Sequence, residues 1–164
     1  MGDGVRAVPI DIGVQWETGA PMPQLLVGLR TFLLFYARPD EDGLGKAGLG
    51  FVEIVGCAAA RFGPPNDEAL ENLPLWGHGL QFYAAHRVDG SSWLSEWSEL
   101  AYRKDANNAA LTSKLDHFIF TFHDETVEVL ATELKVELFE GSMTEALQEA
   151  SRRLATAVEP PDAR

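Results

Sequence analysis

The run Phe118-Ile119-Phe120-Thr121-Phe122 constrains this chain more than any other segment. Its aromatic and β-branched residues suit a pleated, buried surface better than a helix. At a side-chain period of two, Phe118, Phe120 and Phe122 share one face, and His117, Ile119, Thr121 and His123 share the other. Three phenylalanines on one face need a covering layer. The chain must therefore build a sheet against a core. The run ends on His123-Asp124-Glu125, and Thr126-Val127-Glu128 then opens a second apolar stretch. That is the pattern of a hairpin with a histidine among acids near its turn.

The rest of the chain repeats short apolar runs cut by Gly and Pro. Ile10 to Trp16 alternates as a strand does, after a loose start over Met1 to Val8. Leu25 to Ala37 is strongly apolar, with a bend or turn at Gly28-Leu29-Arg30-Thr31. Pro39 to Lys46 is a loop. Leu49 to Phe62 reads as one strand, or as two broken at Gly56. Gly63-Pro64-Pro65 stops it, and Asn66 caps a short helix over Asp67 to Leu73. Gly79 to Val88 is again strand-like. Ser92 is expected to cap a helix bearing Trp93, Leu94, Trp97, Leu100 and Ala101 at helical spacing. Asp105 to Asn108 is a loop. Thr126 to Phe139 reads as one further strand or a long bent one. Ser142 and Glu145 form a capping box for a final helix with Met143, Ala146, Leu147, Ala150 and Leu154 as its apolar stripe. No regular alternation of strands and helices supports a parallel sheet. The expected fold class is α+β: an antiparallel, β-rich sheet, sandwich or half-barrel with two or three helices packed outside. A single domain over 1–158 and a frayed tail over 159–164 are expected.

Charge limits the partners. The 164 residues carry 25 acidic against 13 basic side chains, a formal net charge of -12. That balance repels phosphate backbones and anionic bilayers, so neither nucleic acid nor a membrane is expected as a partner. Phe32 to Ala37 is far shorter than the roughly 20 apolar residues that span a bilayer. With no basic, apolar leader visible, a cytoplasmic setting is expected. The lone Cys57 excludes an intramolecular disulfide. Within the apolar run Phe51 to Ala60 it reads as a buried, inert thiol rather than a nucleophile.

Few segments suit chemistry. Gly43, Gly45, Gly48 and Gly50 form no phosphate loop. No G-x-S-x-G occurs, and Ser91 and Ser92, between a turn and Trp93, favour capping over catalysis. His117 and His123 lie about 20 Å apart along a flat strand, at about 3.3 Å per residue, too far to share one metal. His123 and Glu128 can meet across a tight hairpin, where neighbours lie about 5 Å apart, and His86 can join from an adjacent strand. A two-histidine, one-carboxylate metal site and a metal-free acid–base pair both remain open. The residues name no cofactor. Asn66, Asp67 and Glu68 form a second polar cluster that a helix start also explains. Trp93 and Trp97 read as core. Trp76, in a loop between Pro74 and Gly77-His78-Gly79, is the better candidate for lining a pocket or an interface.

Several segments taken together, among them Pro65-Asn66-Asp67-Glu68, Leu73-Pro74-Leu75, Ser92-Trp93 and His117-Phe118-Ile119-Phe120-Thr121-Phe122-His123-Asp124-Glu125-Thr126-Val127-Glu128, resemble a family of small uncharacterised bacterial proteins. The resemblance spans about the middle two thirds of the chain and implies no activity. Its motifs read P-N-D-E and F-H-D-S/T-x-E, and this chain departs by having Val129 where a cysteine would follow the glutamate. Residues and resemblance together suggest a small enzyme or small-molecule-binding protein. Its catalytic group would be His123, Asp124 and Glu128. Asn66, Asp67, Glu68, Trp76 and His86 would bind the ligand, with Trp76 and His86 at the rim of the pocket. The alternative is a non-catalytic interaction module, either a homodimer or an acidic partner-binding protein.

Overall fold

The two longest apolar stretches each break once, and each break sends the chain into a different sheet. A computed structural model describes residues 4–39, 48–102, 110 and 112–156. In chain order the strands are β1 (Arg6–Ile10), β2 (Gln24–Val27), β3 (Thr31–Tyr36), β4 (Leu49–Val55), β5 (Ala59–Gly63), β6 (Ala85–Asp89), β7 (Asp116–Thr121), β8 (Thr126–Ala131) and β9 (Glu133–Phe139). A 3-10 helix spans Asp67–Asn72, α1 spans Ser92–Tyr102 and α2 spans Met143–Thr156. One antiparallel sheet has the order β1-β6-β7-β8-β5, the other β2-β3-β4-β9. The α+β, β-rich class is as the pattern predicts.

The break at Gly56 divides β4 from β5, and the break at Thr132 divides β8 from β9. Gly56 has φ of 60°, and a Cβ there would lie 2.7 Å from Thr132 Oγ1. Only glycine fits that conformation and that approach.

Contacts gather the chain into two compact units. The first is Met1–Asp11 with Gly56–Glu133, and the second is Ile12–Val55 with Leu134–Arg164. In the first, Ala7, Leu70, Leu75, Leu80, Val88 and Ile119 form a core on which Leu73 packs. Phe118, Phe120 and Phe122 are all buried, but so is the opposite face of β7, where Ile119 and Thr121 are almost wholly enclosed. In the second unit, Phe32, Leu34, Leu49 and Phe51 meet Ala146 and Ala150 of α2. The capping box of α2 is formed as expected: Glu145 N–H donates to Ser142 Oγ at 3.2 Å, and Ser142 N–H donates to Glu145 Oε2 at 2.7 Å.

Several local expectations are corrected. The strand lies earlier than Ile10 to Trp16, as β1 over Arg6–Ile10, so Arg6 to Val8 is no loose start, and Trp16 joins Ala37 through an isolated bridge. Pro9 lacks a donor, but β1 is an edge strand, where a missing N–H is tolerated. Leu80 to Ala84 is also not strand: Tyr83 has φ of 51° and Gly79 φ of 97°, which no ladder accommodates. The side chain that caps α1 is Ser91, not Ser92, with Leu94 N–H donating to Ser91 Oγ at 3.1 Å. Trp93 and Trp97 are half-buried rather than core, and Cys57 is half-buried with its thiol 3.4 Å from Ala59 O. The expected loops at Asp40 to Lys46 and Asp105 to Asn108 and the tail beyond Thr156 lie outside the described residues. Among the described residues, no helix is long and apolar enough to cross a membrane.

Candidate functional site

The first unit holds two histidine–carboxylate pairs, and neither is the one the hairpin suggests. In the β7–β8 register Ile119 faces Glu128 and Thr121 faces Thr126. Beyond them Phe122 N–H donates to Glu125 O at 2.9 Å, which closes the turn and leaves His123 inside it. Glu128 is therefore out of reach of His123. It lies diagonally across from His117, whose Nε2 is 2.9 Å from Glu128 Oε2. The other nitrogen of His117, Nδ1, is 2.8 Å from Ser91 Oγ.

His123 instead takes Asp67 as its partner, Nδ1 to Oδ2 at 2.7 Å. The local fold explains how they meet. Asn66 accepts from Ala69 N–H at 3.2 Å and so starts the 3-10 helix. Asp67 N–H donates to His123 O at 2.9 Å, fastening that helix start to the hairpin turn. Thr126 Oγ1 adds a bond to Pro65 O at 2.9 Å. Tyr83 completes the cluster by donating its hydroxyl to Asp67 Oδ2 at 2.5 Å.

The electrostatics follow from these bonds. Tyr83 and then His123 stabilise the Asp67 carboxylate, so its pKa falls below the ordinary aspartate value despite partial burial. The Asp67 bond raises the pKa of His123 above its ordinary value, aided by the charges of Asp124 and Glu68 and opposed by desolvation. Asp67 raises the pKa of Tyr83. A carboxylate only accepts, so Nδ1 of His123 carries a hydrogen, and in the neutral ring Nε2 is the basic lone pair. Among the described residues Nε2 makes no hydrogen bond; Asp124 Oδ1 lies 4.0 Å from it. The His123 side chain is 41% exposed.

The loop that carries Tyr83 is held from below. Thr121 Oγ1 donates to Gln81 O at 2.8 Å and accepts from Ala84 N–H at 3.1 Å. Gln81 N–H donates to Nε2 of His86 at 3.0 Å. With Nε2 accepting, the hydrogen of His86 is on Nδ1, which is buried and among the described residues makes no hydrogen bond of good geometry, the Ile119 and Ala84 carbonyls being its polar neighbours. Burial lowers the pKa of this histidine, with the Ile119 and Ala84 carbonyls pulling the other way. His86 is wholly enclosed and stands behind the loop rather than at a rim.

Of the residues singled out in the sequence, the structure thus brings together His123 and Asp67, with Asn66 as cap and Glu68 and Asp124 as exposed flanking charges. Glu128 belongs to the second pair. Trp76 is exposed beside Phe82, ring centroids 5.1 Å apart, and Phe82 in turn lies 6.1 Å from Tyr83. This aromatic ledge runs up to the polar cluster. Tyr83 and Phe82 escape a reading of Gly79 to Val88 as a strand, and Thr121, read only as a strand residue, gives no sign in the sequence that its hydroxyl holds that loop. Among the described residues no three His, Cys, Asp or Glu side chains converge as a metal site requires, so His86, His123 and Glu128 do not form the two-histidine, one-carboxylate set.

No family model, no curated protein and no solved structure matches the chain.

Proposed function

We propose that the Asp67–His123–Tyr83 cluster is a general acid–base and binding site for a small, flat ligand that rests on Trp76 and Phe82. The observation that carries this reading is the divided role of the His123 ring: Nδ1 is fixed by Asp67, and Nε2 makes no hydrogen bond among the described residues on a half-exposed ring. A carboxylate that fixes the tautomer and favours the imidazolium is the device by which histidine accepts and returns a proton near neutral pH. The positive φ of Tyr83 supports the reading too, because such strain in a non-glycine residue gathers at functional sites. The substrate would have an ionisable proton at His123 and an apolar, planar body along the ledge. The excess of acids and the single cysteine support a cytosolic setting.

NMR of the histidine ring protons tests the site, using benzoate and 4-hydroxybenzoate as probes. Saturable shifts at His123 and at the Trp76 indole, lost together in Asp67→Asn, are expected. Shifts confined to other residues, or none at millimolar probe, would refute it. The second reading, a homodimer, draws on the same exposed Trp76 and Phe82. Sedimentation velocity distinguishes the two: a dimer that Trp76→Ala disperses would favour the interface.

A further inference from the structure

We propose that Ser91, His117 and Glu128 form a second catalytic relay, with Ser91 Oγ as an acyl-accepting nucleophile toward small carboxylic esters. The three lie in one chain of hydrogen bonds: Ser91 Oγ to His117 Nδ1 at 2.8 Å, and His117 Nε2 to Glu128 Oε2 at 2.9 Å. The Glu128 carboxylate accepts, so Nε2 carries a hydrogen, and in the neutral ring Nδ1 accepts the Ser91 hydroxyl. Nucleophile, base and orienting acid thus stand in the order that acyl-transfer chemistry requires. The ring is reversed relative to the usual arrangement, in which serine meets Nε2, but either nitrogen of a neutral imidazole serves as base.

The backbone supports the role. Strand β6 ends at Asp89, Gly90 turns with φ of 68°, and α1 begins at Ser92, so Ser91 stands at a sharp strand-to-helix turn. Serine nucleophiles occupy such turns, where the N–H of the next residue and the positive end of the helix stabilise the oxyanion. Ser92 would supply that N–H. The sequence Asp89-Gly90-Ser91-Ser92-Trp93 lacks the second glycine of the usual elbow motif. Trp93 packs edge-on to His117, ring centroids 5.1 Å apart, and Arg61 lies 3.9 Å over the Trp93 ring, which holds the imidazole in place. Ser91 itself is 6% exposed. Asp89 and Gly90, just before it in the chain, line with Gly4 and Arg6 an open cavity of about 510 Å³, from which substrate would have to displace the Gly90 turn to reach the hydroxyl.

In the reaction the Ser91 Oγ–C bond forms as the hydroxyl proton passes to His117 Nδ1. The ester C–O bond then breaks, and the leaving alkoxide takes that proton. Water reverses the sequence: its oxygen bonds to the acyl carbon, its proton passes through Nδ1, and Ser91 regains its hydroxyl. A helix cap alone needs neither a histidine nor a carboxylate behind it, and burying that pair costs free energy.

The test is to treat the full chain at pH 8 with an alkyl fluorophosphonate and follow intact mass and peptide maps. One phosphonyl adduct on Ser91 is expected, with its rate at least about 100-fold lower in Glu128→Gln, since an amide there permits the wrong tautomer. Unlabelled wild-type protein overturns the proposal whatever the variants do. So does labelling of Ser91 at the same rate in a folded Glu128→Gln.

Discussion

Thr121→Val should loosen the candidate site without touching any of its members. The hydroxyl of Thr121 is almost fully buried and holds both ends of the Gln81–Ala84 loop, donating to Gln81 O and accepting from Ala84 N–H. Valine has nearly the same shape and makes neither bond. The backbone bond from Thr121 N–H to Ala84 O at 3.1 Å survives. Two lost hydrogen bonds at about 0.5–1.5 kcal/mol each give a cost of about 1–3 kcal/mol. With a urea slope of about 2 kcal/mol per M, a midway cost of about 2 kcal/mol lowers the unfolding midpoint by about 1 M. The functional readout is separate. Tyr83 keeps a raised pKa only while its loop holds it on Asp67, so in Thr121→Val its phenol should titrate closer to the ordinary tyrosine value. Thr121→Ser keeps the hydroxyl and loses one methyl, worth about 0.8 kcal/mol, and should leave Tyr83 unchanged. A Thr121→Val midpoint within about 0.3 M of wild type, with Tyr83 titrating as before, would refute the role given to this loop.

Other perturbations give distinct outcomes. Asp67→Asn should lower the His123 pKa in an NMR titration, because the hydrogen bond to the carboxylate is the largest cause of its rise; Tyr83→Phe should raise it further, by leaving Asp67 to His123 alone. His123 with a raised folded pKa contributes stability that is present below its unfolded value and lost as pH rises through the folded one. Asp67, with a depressed pKa, contributes above its unfolded value and loses this as pH falls through the folded one. The buried His86, with its lowered pKa, works in the opposite sense in the same window, so the readout is the difference between variants: His123→Gln should lower the urea midpoint at pH 5.5, relative to that at pH 8, compared with wild type. Ser91→Ala removes a helix cap worth about 1 kcal/mol and strands the buried Nδ1 of His117 at about 1–3 kcal/mol more, so a loss of about 2–4 kcal/mol is expected by denaturant titration. Gly50→Ala places a Cβ 2.2 Å from the Phe35 ring and should cost at least about 1–3 kcal/mol by overpacking.

Much of the strand content was legible because residue type and periodicity agreed. The Phe118 run is a strand by both tests, and the break at Gly56 is one of the two readings of Leu49 to Phe62, but Thr126 to Phe139 reads as one strand, straight or bent, and the structure divides it after Ala131 into β8 and β9. Which sheet each half joins was not legible, since that depends on pairing between distant segments. β5 joins β8, while β4 joins β3.

The site was half legible for a related reason. His123, Asp67 and Asn66 stood out as residues, but their partners did not. The reading of His123 with Glu128 assumed that the strand continues through His123, and the bond from Phe122 N–H to Glu125 O ends it earlier. The misreading of Leu80 to Ala84 goes deeper. Its apolar alternation is sound strand code, yet the side chains of Thr121 and His86 capture the backbone of Gln81 and Ala84 before any ladder can. Side-chain capture of backbone groups competes with regular structure, and here both captors come from strands of the same sheet. A strand at that place would have turned Tyr83 with the pleat. The captured loop turns it onto Asp67 instead, so the departure from strand pattern and the assembly of the site have one cause.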